Sequence, residues 1–325
     1  MNKETIVGGI RATSKLHIGN YLGALKPFVE LSKDREKTSF FFIADLHALT
    51  TPFEPHELRQ NSVEVAAEYI AAGLDVNNAV FFLQNHVHEH AELAWIFNCI
   101  LPIAELERMT QYKDKSNQHK DNINAGLLTY PCLMAADILV YKAQGVAVGH
   151  DQVQHVELSR IVARKFNNRF ANVFPEPKTY SSDPLRIMSI KDPSKKMSKT
   201  GDVPLYIDDE PKIIHEKIKK AVTATDGAGK SAGAENLLGL LAHFGSHANI
   251  EHFNDMQQTG TLKFSELKEA LATDIAEHFA EFREKKKELL ARPEYLAEVL
   301  GEGARKAREV AHETLREVKE KIGLL

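Results

Sequence analysis

Short apolar runs alternate with amphipathic stretches through the first half of the chain. Ile6-Val7, the glycine pair Gly8-Gly9 and the polar turn Arg11–Lys15 lead into Tyr21, Leu22 and Leu25 at helical spacing. That pattern predicts a strand, a glycine turn and a helix start. Phe40–Ala44 is continuously apolar and ends at Asp45, as a strand buried on both faces of a parallel sheet does. Ala79–Leu83 and Gly145–Gly149 read the same way, and Arg186–Ile190 reads as a last strand. Between them, His56–Gly73, Ala91–Glu107, Gly126–Tyr141 and Val153–Asn167 carry helical patterns. Alternating strands and helices predict an α/β fold, a doubly wound parallel sheet. From Pro211 onward only helical spacing remains, at Ile214/Ile218/Val222, Leu267/Leu271/Ile275/Phe279 and Val310/Val318/Ile322. The expected organisation is therefore a catalytic α/β domain over 1–203, with a helical insertion around 85–125, and a helical C-terminal domain over 204–325.

Composition narrows the class. With 325 residues, 43% hydrophobic and 26% charged, the chain reads as a soluble globular protein. A net charge of −4 excludes a globally basic nucleic-acid binder and leaves room for a local basic groove. Cys99 and Cys132 lie in apolar surroundings, as buried free thiols of a reducing cytoplasm do. Met1–Arg11 lacks the apolar core of a signal peptide, and Asn122–Ala136 is too short to span a bilayer, so a cytoplasmic protein without a membrane partner is expected. Trp95 is expected in a core. His86, His88 and His90 alternate, but without a cysteine and beside Glu89 and Glu92 they read as a solvated helix entrance rather than a zinc site. Ala228-Gly229-Lys230-Ser231 looks like the end of a phosphate loop, yet Ala224 stands where its first glycine belongs and no strand precedes it.

Three features carry candidate chemistry. A helix start exposes backbone N–H groups that favour phosphate, and Gly8, Gly9 and Gly19 let the backbone lie against a ligand. Lys195, Lys196 and Lys199 cluster with Ser198; with the glycine corner and His17 they would clamp a triphosphate from two sides, magnesium sharing the charge. Lys113, Lys115 and Lys120 in the polar stretch 111–124 read either as a surface loop or as a lid whose lysines meet phosphate. Finally, Asp137 sits in the most apolar helix, which is costly unless it is paired with a neighbouring element or bound to a ligand. Tyr130 and Met134 share its helix face, and His47 at a strand end is open to a structural or a functional role.

His17-Ile18-Gly19-Asn20 resembles the HIGH signature, and Lys196-Met197-Ser198-Lys199-Thr200 the KMSKS signature, of class I aminoacyl-tRNA synthetases. Over almost its whole length the chain is similar to the tryptophanyl-tRNA synthetase family, through Ala104–Lys113, Leu127–Pro131, Met134–Leu139 and Gly149–His155. The resemblance implies a Rossmann-like catalytic domain, an anticodon-reading helical domain and a homodimer. It also implies a ligase that uses ATP and magnesium to join tryptophan to tRNA(Trp), with no DNA partner and no protein-bound metal. By the same resemblance Asp137 accepts the indole N–H, and Met134, Val146 and Val148 line the pocket with Val7, Gly9 and His47. Tyr130 and Gln152 hold the ammonium and carboxylate end. Gly9, Arg11, Thr13, His17, Gly19 and Asn20 contact ATP, with Gly149, Asp151 and Gln152 near the ribose and Ile187 and Met197 beside the nucleotide. Lys115, Lys196, Ser198 and Lys199 act on the phosphates with His17. The chain departs from the family pattern at Ala12 and Ser14, where a proline and a glycine are frequent, at Val7, where some members carry an aromatic residue, and at His150, where an acidic one is common. Tyrosine specificity on the same scaffold, a small-molecule nucleotidylyltransferase and a catalytically silent RNA-binding paralogue are the alternatives.

Overall fold

The computed structural model describes residues 3–12, 15–113, 123–180, 187–195, 197, 203–223 and 231–325, and all of these but the side chain of His150. Its contacts divide the chain into two compact units, residues 1–14, 23–184 and 289–325 in one and residues 15–22 and 185–288 in the other. These units differ from the sequential division expected at 203/204, because the chain's C-terminal end belongs to the first unit.

The first unit is built on five parallel strands: β1 (Glu4–Arg11), β2 (Lys37–Ala44), β3 (Val80–Leu83), β4 (Gly145–Ala147) and β5 (Lys178–Tyr180), in the order β3-β2-β1-β4-β5. β1 pairs with β2 over its full length, from Glu4 opposite Lys37 to Arg11 opposite Ala44. The continuous apolar runs mark double-sided burial. On one face Phe41 stacks on Phe28 of a helix (Lys26–Lys33), with Tyr69 of another (Pro55–Ala71) beside it. On the other face Phe40 and Phe42 meet Tyr141, Phe82 and His90. That second face is covered by the helices Glu89–Asn98, Ala125–Leu139 and Val153–Arg169.

The expected strand at Arg186–Ile190 is not there among its described residues, and the sheet ends instead on β5, three residues that the apolar pattern did not mark. The expected helix over Ala91–Glu107 is two helices, Glu89–Asn98 and Ile103–Glu107, with Pro102 capping the second. Trp95 is 68% exposed rather than in a core, and Cys99 is exposed while Cys132 is buried. The 30-residue C-terminal helix (Pro293–Ile322) packs Ala304, Ala307, Ala311, Leu315 and Val318 into the same core. Gly303 on that helix lies so near β3 that a Cβ there would collide with the Phe81 carbonyl oxygen.

The second unit is helical from residue 211 on: Pro211–Lys219, Ala232–Phe244, His247–Gln258, Phe264–His278 and the start of Ala280–Leu290. Its core uses the predicted positions Ile214, Ile218, Leu267, Leu271, Ile275 and Phe279, all buried, whereas Val222 is exposed. Leu16–Ile18 runs antiparallel to Leu205–Ile207, with Ile18 N–H donating to the Leu205 carbonyl at 2.9 Å and Ile207 N–H to Leu16 at 3.0 Å.

Candidate active site

In the first unit the loops at the carboxyl ends of the strands supply the polar groups, as open α/β sheets do around a ligand. β2 ends in a one-turn helix, Asp45–Ala48, that carries His47. The Asp45 carboxylate accepts the backbone N–H groups of Leu46 and Asn85 and the Asn85 side-chain amide, which ties this corner to the end of β3. Burial raises the Asp45 pKa, opposed by those bonds. β3 ends in Gln84, which is completely buried.

Both residues point at one carboxylate. Asp137 is 2% exposed on the apolar helix Ala125–Leu139. Its Oδ2 accepts from His47 Nε2 at 2.7 Å, and its Oδ1 accepts from Gln84 Nε2 at 2.7 Å and from His90 Nδ1 at 2.6 Å. His90 Nε2 in turn meets the Tyr141 hydroxyl at 2.7 Å. Burial alone would raise the Asp137 pKa. The His47 and His90 imidazoles, through charge and hydrogen bonds, more than offset it and hold the carboxyl down at about 2. The group is thus an ionised acceptor with three of its roughly four lone-pair positions filled; the fourth is on Oδ2.

His90 is therefore no part of a solvated helix entrance. It is fully buried, while His86 and His88 are exposed, and among the described residues no group of three or more potential ligands gathers to hold a metal ion. His90, Gln84 and Tyr141 are site residues that sequence reasoning missed. A signal for His90 existed: it shares helical phase with Leu93, Ala94 and Phe97, all buried.

Around Asp137 the structure gathers several expected pocket residues. Val7 and Val146 are buried neighbours across β1 and β4, in one core cluster with partly buried Met134 and Val148. The Tyr130 hydroxyl meets His155 Nε2 at 2.8 Å, and the Tyr130 ring stands edge-on to His47 at 6.2 Å. Burial raises the Tyr130 pKa strongly, so the phenol stays protonated. Gly149 and Asp151 form one turn after β4: a Cβ on Gly149 would press the Asp151 carboxylate at 2.9 Å, and Gln152 Nε2 donates to that carboxylate at 2.9 Å.

In the second unit, His17 caps the turn Ile18–Asn20: its Nδ1 accepts the backbone N–H of Gly19 at 3.1 Å and of Asn20 at 3.3 Å. The Asn20 side chain returns the bond by accepting the His17 N–H at 3.3 Å. The helix start expected to offer bare N–H groups to a phosphate spends two of them on the imidazole. With Nδ1 an acceptor, the ring proton lies on Nε2. Ile187 and Met197 are buried apolar anchors at either end of a loop, joined by a bond from Met197 N–H to the Ile187 carbonyl at 2.9 Å. Lys195 pairs with Asp192 at 2.8 Å in solvent. Thr13, Lys115, Lys196, Ser198 and Lys199 lie outside the described residues.

The sequence family described as tRNA synthetases class I (W and Y) matches residues 2–290. The chain is similar to the tryptophan–tRNA ligase of Caldanaerobacter subterraneus subsp. tengcongensis, at 44% identity over 99% of each chain. It is 42% identical to that of Clostridium tetani over 100% of this chain and 97% of the relative. Among solved structures, tryptophanyl-tRNA synthetase from Campylobacter jejuni complexed with ADP and tryptophan aligns with a TM-score of 0.86 at 34% identity, covering 98% of this chain and 99% of that one.

Proposed function

The chain belongs to the class I tRNA synthetases of the tryptophan and tyrosine branch, and we propose that it selects its amino acid through Asp137 and handles ATP through His17 and the lysine loop at 195–200. It is a tryptophan–tRNA ligase, an ATP-dependent enzyme. The tryptophan carboxylate attacks the α-phosphorus of ATP, a P–O bond forms, and pyrophosphate leaves. The terminal ribose hydroxyl of tRNA(Trp) then attacks the acyl carbon and AMP leaves. Neither step needs a protein nucleophile, so positioning and preorganised charge supply the rate.

The observation that carries the choice of amino acid is the ionised, buried Asp137 with one acceptor position left. An indole N–H fills it. A site that must donate or accept a buried hydrogen bond rejects side chains lacking the matching group by about 10⁴–10⁵. Val7, Gly9, Met134, Val146, Val148 and His47 would surround the ring, and Tyr130 and Gln152 would meet the head group. On the nucleotide side His17 Nε2–H would donate to a phosphate oxygen. Gly19, Asn20, Ile187 and Met197 shape that corner, and Gly149 and Asp151 would meet the ribose. Thr13, Lys115, Lys196, Ser198 and Lys199 complete the proposal from outside the described residues. Magnesium would be held mainly by the triphosphate and would share its negative charge.

A homodimer in the cytoplasm belongs to the same proposal. Trp95 at 68% and Ile103 at 63% exposure are large apolar surfaces of the kind a second copy covers. Light scattering should give twice 36.4 kDa. The helices of the second unit, from Pro211 to the start of Ala280–Leu290, would read the anticodon. The decisive assay is amino-acid-dependent exchange of pyrophosphate into ATP with tryptophan, tyrosine and phenylalanine in turn. Exchange with tryptophan alone is expected. Exchange with tyrosine overturns the role of Asp137, and no exchange with any of them overturns the activity.

A further inference from the structure

Lys15 opens the turn that carries His17, and its ammonium is tied to a carboxylate far along the chain. It lies 3.0 Å from Asp208 Oδ2, and Lys286 of the helix Ala280–Leu290 donates to the same oxygen at 2.8 Å. The Asp208 side chain is 11% exposed, that of Lys286 6% and that of Lys15 51%, so one carboxylate bridges a buried cation and a half-exposed one. Burial disfavours the charged form, but the Lys286 and Lys15 ammoniums outweigh it and hold the Asp208 carboxyl below its usual value. Asp208 Oδ1 is buried without a hydrogen-bond partner among the described residues, and among these the two lysines fix how the carboxylate lies.

The backbone makes this pair matter. Leu16–Ile18 meets Leu205–Ile207 through an isolated antiparallel bridge, His17 opposite Tyr206, with one hydrogen bond on either side. Two-stranded pairing is marginal by itself. Carried on by two residues, its register sets Lys15 opposite Asp208, a cross-strand pair of opposite charges. The strip it pairs with is fastened in turn. Tyr206 N–H donates to Asp209 Oδ2 at 2.9 Å, and Lys217 of the helix Pro211–Lys219 donates to the Pro204 carbonyl at 2.8 Å and stands over the Tyr206 ring at 4.7 Å. All of these residues belong to the second unit.

His17 builds its cap on this same backbone, Nδ1 accepting the N–H groups of Gly19 and Asn20. A slip of one residue would put His17 on the opposite face of the pairing. The ion pair two residues earlier therefore bears on where the imidazole stands.

We propose that Asp208 is a positioning residue for the ATP corner: through Lys15 it holds the turn that carries His17 in register with the helices of the second unit. This rests on the assignment of His17 to ATP. Direct contact of Lys15 with a phosphate is the competing account, and the experiment separates the two.

Pyrophosphate exchange is measured against ATP and against tryptophan for Lys15→Met, Asp208→Asn and the double variant. Half-exposed pairs contribute modestly, so each single change should raise KM for ATP by about three- to fivefold and leave KM for tryptophan within about twofold. The double variant should match the larger single effect, because both changes break one tie. Lys15→Arg keeps the charge and should stay near wild type. Effects that multiply in the double variant assign Lys15 to phosphate and overturn the proposal, as does a KM for ATP that neither change moves. Equal rises for ATP and tryptophan make the pair merely structural and also overturn it. If Asp208→Asn does not fold because it withdraws a charge from buried Lys286, Asp208→Asn with Lys286→Met, which removes both buried charges together, takes its place. His17→Ala with unaltered ATP kinetics refutes the ATP corner itself and the proposal with it, a failure told apart because Lys15 and Asp208 are untouched.

Discussion

His90 offers a sharp test of how the Asp137 carboxylate is aimed. Its two ring nitrogens do different work: Nδ1 donates to Asp137 Oδ1 and Nε2 meets the Tyr141 hydroxyl. Two substitutions separate them. Asparagine carries an N–H₂ where the imidazole carries Nδ1, so His90→Asn keeps the bond to the carboxylate and loses the one to Tyr141. Glutamine reaches the Nε2 position, so His90→Gln does the reverse. Hydrogen bonds to charged groups contribute about 1.5–3 kcal/mol. Against a typical total of about 5–15 kcal/mol, either variant should still fold. In His90→Gln, Oδ1 retains only Gln84, and the carboxylate regains freedom to turn its open lone pair away from the pocket. The same 1.5–3 kcal/mol predicts a loss of about 10- to 100-fold in kcat/KM for tryptophan. The assay is pyrophosphate exchange with tryptophan and with the analogue whose indole N–H is replaced by sulfur. The analogue cannot donate to Asp137, so its kcat/KM should hardly change. The ratio between the two substrates should fall in His90→Gln and stay near wild type in His90→Asn. Equal ratios in both variants would refute the reasoning, since a merely structural histidine would shift both substrates together.

Other consequences follow from single contacts. The Asp137 carboxyl, held at about 2 against roughly 3.9 in an unfolded chain, contributes stability that is fully present above about pH 4 and is lost as pH falls toward 2; melting scans should show a steeper acid decline in the wild type than in Asp137→Asn, and parallel curves would contradict it. Gly303→Ala forces the C-terminal helix off the β3 backbone, and overpacking of this kind costs about 1–3 kcal/mol, so Tm should drop by several degrees; an unchanged Tm would show that the helix can shift freely. Gly19→Ala would set a Cβ 2.9 Å from both Cε1 and Nδ1 of His17 and turn the ring out of its cap; KM for ATP should rise roughly tenfold while tryptophan binding holds, and an unaltered KM would remove the imidazole's orientation from the account.

The strands legible in the sequence are those buried on both faces. β1, β2 and β3 carry continuous apolar runs because helices cover each side. β5 is invisible for the opposite reason: Lys178-Thr179-Tyr180 pairs on one side only, and none of its residues is buried. Ile187 and Ile190 imitate a strand because both are buried, yet they anchor a loop, with Ser189 N–H bonded to the Lys195 carbonyl at 2.8 Å. The C-terminal helix shows the limit of periodicity differently. Helical spacing at Val318 and Ile322 predicts the helix but not the surface it covers. Gly303, Ala307 and Ala311 recur every four residues, and that row of small side chains fits a helix lying directly on backbone.

The polar site is legible only in part, because its polarity is distributed around a helix and not along the chain. His88, Glu89 and Glu92 make the segment look solvated, yet a period of 3.6 separates its two sides. His88 and Trp95, seven apart, share the outer stripe, and both are exposed; His90 and Phe97, also seven apart, share the inner one, and both are buried. One helical phase thus accounts for both residues, the tryptophan facing outward and the histidine inward. Asp137 stands out in the sequence because a carboxylate in an apolar helix demands partners. What no one-dimensional pattern holds is that the ends of β2 and β3 and a separate helix all deliver donors to it. Those donors are what turn a buried charge from a liability into an acceptor with a single open direction, and a single open direction is what a recognition site for one N–H requires.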